Sequence, residues 1–100
     1  MTVKHIVIWN LKATDAGEKA EASARIESAL TALVGRVPSI RSLTVALNGA
    51  YPDKNADIAV VADFDDYEGL DEYQNHPDHL EAAGIIRSFV SGRSSIDYTY

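Results

Sequence analysis

The stretch Val3-Lys-His-Ile-Val-Ile-Trp-Asn-Leu11 decides the fold. It is dense in β-branched and aromatic residues and reads as a strand. Successive side chains of a strand point to opposite faces. One face therefore carries Val3, His5, Val7, Trp9 and Leu11, and the other carries Ile6 and Ile8 between Lys4 and Asn10. A strand that is apolar on both faces at its centre is covered on both sides. One cover is available within the chain and the other has to be found outside it.

The neighbouring segments supply the first cover. Asp15-Ala-Gly-Glu18 has the spacing of a capping box and opens a helix running to about Val34. Its apolar stripe is Ala22, Ile26, Ala29, Leu30, Leu33 and Val34, with Gly35 and Pro38 placed to stop it. Ile40 to Leu47 alternates as a second strand, with Arg41, Leu43, Val45 and Leu47 on one side, and Asn48 to Asn55 is a polar loop. Asp57 to Asp65 is a third strand, with Ile58, Val60, Ala62 and Phe64 on one face and Asp57, Ala59, Val61 and Asp63 on the other. Asp65-Asp-Tyr-Glu68 starts a short helix through Leu70 to Gln74, and Pro77, a residue suited to the first helical position, starts another running to about Val90. Ser94 to Tyr100 closes the chain as a strand.

The order βαββαβ predicts an α+β, ferredoxin-like protomer: a four-stranded antiparallel sheet with its helices on one face, as one domain over residues 1–100. The other face, with Ile6, Ile8 and Val61, then lacks a cover, and a second copy of the chain is the expected one: a homodimer joined through the sheet faces.

Composition excludes several functions. The chain has 9 Lys and Arg against 15 Asp and Glu, a net charge of −6, which speaks against a nucleic-acid partner. With 46% hydrophobic residues, disorder is not expected. No apolar run approaches the roughly 18–20 residues of a membrane span. The N-terminal residues do not form a cleavable signal, so a cytoplasmic location is expected. The chain has no cysteine, and so no disulfide, thiolate metal site or cysteine nucleophile. It has no phosphate loop, dinucleotide fingerprint or nucleophile elbow, and no cofactor is expected.

Three histidines and a tyrosine are left to carry chemistry. His5 lies on the odd face of the first strand, where a satisfied core histidine is by itself the more ordinary reading. Tyr73-Gln-Asn-His76-Pro-Asp-His79 is more informative. With Pro77 as the first helical residue, His76 caps the helix and His79 falls in its first turn. There the helix dipole favours neutral imidazole, the form that accepts a proton. His76 and His79 have the spacing of a metal pair, yet a zinc site takes at least three protein ligands and only the distant His5 is left, so no metal is expected.

The segments Val3-Lys-His-Ile-Val, Val37-Pro-Ser-Ile40, Asp63-Phe-Asp, Leu70-Asp-Glu-Tyr-Gln-Asn-His-Pro-Asp-His79 and Ile96-Asp-Tyr98 together resemble the stress-responsive dimeric α/β-barrel (Dabb) family over essentially the whole chain. The resemblance implies a homodimer whose sheets form a dimeric α+β barrel, with a small-molecule pocket between sheet and helices. Within the family the chain is similar to the plant aldol cyclases of linear polyketides. That similarity places Tyr73 and His79 at the catalytic pair and His5 at a pocket histidine, and Arg87-Ser-Phe89 matches as well. Val7, Trp9, Ile26, Leu30, Ile58 and Ala82 are the further pocket positions. Ile58 stands where those cyclases carry a histidine. Ile26, Leu30, Ala82 and Val90 stand where they carry aromatics, so the pocket differs in shape and polarity. The resemblance implies cofactor-free acid–base chemistry, aldol cyclase-like or lyase-like, on a small carbonyl compound. The alternatives are a non-catalytic stress-responsive or ligand-binding dimer and a cofactor-independent monooxygenase, to which only Trp9 and Asn10 point.

Overall fold

The computed structural model describes all residues 1–100. Strand β1 runs Val3–Leu11 and is followed by helix α1 (Ala16–Thr31), strands β2 (Ser42–Leu47) and β3 (Ile58–Phe64), helices α2 (Tyr67–Asn75) and α3 (Pro77–Arg87), and strand β4 (Val90–Thr99). The sheet order is β2-β3-β1-β4, and every neighbouring pair is antiparallel. This is the expected ferredoxin-like α+β protomer, with β1 in the interior of the sheet and β4 at one edge.

The helices start where their caps dictate. The Asp15 carboxylate accepts the Glu18 N–H at 2.8 Å, and that of Asp66 accepts the Gly69 N–H at 2.7 Å. The break between α2 and α3 is local in origin. A residue before proline is pushed out of the helical region. His76 accordingly adopts φ −65° and ψ 135°, and its Nδ1 accepts the Asp78 N–H at 3.1 Å. His76 thus ends one helix and caps the next.

Three boundaries differ most from the sequence expectation, while β2 and β3 begin within two residues of theirs, at Ser42 and Ile58. Helix α1 ends at Thr31 rather than near Val34. Its chain tightens there into turns, Leu33 N–H to Leu30 and Val34 N–H to Thr31, before Gly35 takes φ +89°. Leu33 stays buried while Val34 is exposed. Helix α3 stops at Arg87, not near Val90, and β4 begins at Val90 rather than Ser94. The reason is pairing with the far end of β1: Gly92 lies opposite Asn10 and Val90 opposite Leu11, with a register shift between them. A Cβ on Gly92 would stand 3.3 Å from Asn10 Nδ2, so glycine admits the close approach.

The core lies between the helices and one face of the sheet. Val3, Val7, Trp9 and Leu11 of β1 and Ile58, Val60, Ala62 and Phe64 of β3 are buried against Ala22, Ile26 and Leu30 of α1, Leu70 and Tyr73 of α2, and Ala82 and Ile86 of α3. The opposite face carries half-buried Ile6 and Val61 beside exposed Ile8, Ile96 and Tyr98. No helix is long and apolar enough to cross a membrane.

Candidate active site

A cavity of about 570 Å³ opens between the helix-facing side of the sheet and the helices. Its floor is His5, Val7 and Trp9 of β1 with Val60 of β3, and Leu30 closes it from α1. Tyr73 and Gln74 enter from the end of α2, His79, Leu80, Ala83, Ile86 and Arg87 from α3, and Val90 to Arg93 from the start of β4. The mix of apolar wall and a few convergent polar groups is that of a small-molecule site.

His79 stands third in α3, after Pro77 and Asp78. Its Nδ1–H donates to the Gln74 carbonyl at 3.2 Å across the His76–Pro77 corner. A carbonyl only accepts, so this bond fixes the tautomer and leaves the lone pair of the neutral ring on Nε2. The imidazole pKa lies below the ordinary histidine value of 6.5. Burial is the main cause, opposed by the Gln74 bond and reinforced by the charges of His5, Arg93 and His76. Desolvation, rather than the helix dipole expected from the place of His79 in the first turn, dominates this lowering.

Tyr73 packs against His79 with ring centroids 4.3 Å apart and planes at 50°. On its other sides it meets Phe64 at 5.1 Å and His5 at 5.9 Å. Burial alone pushes its phenol up to about 12, so it stays protonated and able to donate throughout the neutral range. His5 is buried, and its Nδ1–H donates to the Asp97 carboxylate, which stands directly opposite it on β4. The Nε2 of His5 is left as its second hydrogen-bonding atom.

The cavity therefore brings together His5, Val7, Trp9, Leu30, Tyr73 and His79. Ile26, Ile58 and Ala82 belong instead to the packed core and do not line it. Asn10 alternates to the opposite face of β1 from Trp9 and is exposed, away from the cavity. His5, His76 and His79 do not gather into a metal-ligating set, nor do any three of the chain's His, Asp and Glu side chains. Sequence reasoning missed Asp97, Ser91 and Arg93. Asp97 had a signal in the alternation of the closing strand, whereas Ser91 and Arg93 lie before the expected start of that strand at Ser94 and reach the cavity only through the pairing of β4 with β1.

Solved structures share this fold over nearly the full chain. A dimeric ferredoxin-like protein of unknown function from Bacteroides fragilis is 30% identical, with a TM-score of 0.88, covering 99% of this chain and 96% of its own. A dimeric ferredoxin-like protein from Thermobifida fusca is 28% identical, with a TM-score of 0.83, covering 100% and 92%. A hydroxynitrile lyase from Passiflora edulis has the same fold at 15% identity, with a TM-score of 0.79, covering 97% and 91%. No curated protein matches the sequence. Residues 3–100 match the stress-responsive A/B barrel domain, and the chain belongs to that family, Dabb.

Proposed function

We propose that the protein is a homodimeric enzyme performing cofactor-free acid–base chemistry on a small carbonyl compound held between sheet and helices. One observation carries this reading: His79, tied by Nδ1–H to Gln74 and lowered in pKa by burial, lies against a protonated Tyr73 at the wall of an apolar cavity. Nε2 of His79 takes a proton from the carbon next to the substrate carbonyl. The C–H electron pair becomes the enolate, and the Tyr73 hydroxyl donates a hydrogen bond to its oxygen. The enolate then attacks a second carbonyl, as in an aldol closure, whose C=O electron pair moves to oxygen and takes the proton back from His79, or the enolate carbon itself recovers that proton. His5, oriented by Asp97, holds the substrate. The same fold occurs in a hydroxynitrile lyase from Passiflora edulis, which supports the compatibility of this fold with catalysis. At 15% identity nothing beyond the fold carries over.

The dimer joins the sheet faces bearing Ile6, Ile8, Val61 and Ile96, forming a dimeric α+β barrel. The dimeric relatives support it, as does an apolar face that nothing in the chain covers.

The test is deuterium exchange at the α-carbons of 2-octanone in D₂O. General-base catalysis is worth about 10²–10⁴-fold. The wild type is expected to exceed buffer within that range, His79→Gln to return to the buffer rate, and Tyr73→Phe to fall between. A wild type no faster than buffer removes the catalytic reading and leaves the ligand-binding dimer.

A further inference from the structure

The charges around the cavity run against those of the whole protein. The chain holds 15 acidic residues against 9 basic ones, yet no Asp or Glu is among the residues lining the cavity, while Arg87 and Arg93 both are. Of the seven other basic side chains four are used within the chain: Lys4 pairs with Asp63, Lys19 with Asp57 and Arg41 with Asp65, and Arg25 lies over Phe89, while Lys12, Arg36 and Lys54 have no ion pair but do not line the cavity. Neither Arg87 nor Arg93 has a carboxylate within ion-pair distance. Arg93 is steadied instead by a neutral contact, Nη1–H donating to Ser95 Oγ at 3.2 Å. In an acidic protein, two guanidinium groups with no anion of their own at the mouth of one apolar cavity leave a place for an anion brought by the ligand.

We propose that the cavity takes an amphiphilic carboxylate: an apolar carbonyl-bearing chain in the pocket, with a terminal carboxylate held by Arg93 and Arg87. The planar guanidinium fork matches a carboxylate bidentately, which supplies orientation as well as attraction. Phosphate sites add backbone N–H donors from a helix N-terminus. Arg87 lies in the last turn of α3, the opposite end, so a singly charged carboxylate is the better match. Arg93 is near enough to His79 for its charge to act on that imidazole. A carboxylate docked there leaves the adjoining carbons of an oxo acid beside His79 and Tyr73.

This substrate class rests on the cavity being the binding site, and the test separates it from the acid–base reading. Octanoate and octanamide share an apolar chain and differ in charge. Titrating each into the wild type, with binding followed through the His79 imidazole NMR signals, should show octanoate bound about tenfold more tightly. The preference should vanish in the double variant R87Q/R93Q while octanamide affinity stays unchanged. Equal affinities, no octanoate binding, a preference that survives R87Q/R93Q, or inorganic phosphate displacing octanoate at equal concentration each overturn the proposal. Octanamide binding without any octanoate preference would leave the acid–base reading intact. An arginine-dependent octanoate preference in a protein inert toward 2-octanone would support the carboxylate site and remove the catalysis.

Discussion

On the helix-covered face of the sheet Val7, Val60, Ala62 and Phe64 are at most 3% exposed, whereas on the opposite face Ile8 is 38% exposed and Ile96 58%. Both faces belong to the same sheet and carry β-branched residues, Val7 and Val60 on one and Ile6, Ile8 and Val61 on the other, so strand propensity does not distinguish them. The difference is supply. Asp15, Asp66 and His76 start three helices that lie over one face, and the chain has no element left for the other. The covered face holds the core and the cavity together, because a ferredoxin-like protomer of this size has one interior and the site must share it. The open face is free to serve association.

Truncation gives the sharpest test of that contrast. Phe64→Ala removes a fully buried ring and should cost about 3–5 kcal/mol in urea denaturation. Ile96→Ala, measured at concentrations where the protein is monomeric, should stay within about 0.5 kcal/mol. Comparable losses at the two sites would mean that the faces do not differ energetically. A charge probes the open face in the assembly. Ile8→Lys should weaken self-association at least about a hundredfold, read by sedimentation, with the circular dichroism of the protomer unchanged. A wild type that sediments as a monomer at micromolar concentration would overturn the dimer outright.

The third prediction concerns pH and the covered face alone. The folded state favours neutral His79, so as pH falls the unfolded chain takes up its proton first, near 6.5. The contribution of His79 to stability is therefore complete above about 6.5 and declines below it until the folded pKa is reached. NMR titration should place His79 below the ordinary value, and the acid dependence of urea stability should be shallower in His79→Gln. If His79 titrates at or above 6.5, the buried neutral base is lost. The smallest effect belongs to Asp97→Asn, whose amide oxygen can still accept from His5. A charge-assisted bond becomes a neutral one at a half-exposed position, a loss of about 0.5–1 kcal/mol by denaturation.

The sequence by itself determined what depends on near neighbours along the chain. The Val3–Leu11 strand, the helix starts after Asp15 and at Pro77, and the place of His79 in the first turn of α3 follow from alternation, caps and the restriction that Pro77 imposes on His76. Only the tertiary structure decided where β4 begins, because Val90-Ser-Gly-Arg93 has no alternation of its own and is held extended by hydrogen bonds to β1. That pairing brings Arg93 to the cavity and sets Asp97 opposite His5. It also decided that Ile26, Ile58 and Ala82 are core rather than cavity wall, since their residue types suit either surrounding. The low pKa of His79 belongs with these. A helix dipole can be read from nearby residues, but desolvation sums over side chains from α2, α3 and the sheet, and their closeness exists only in the folded chain.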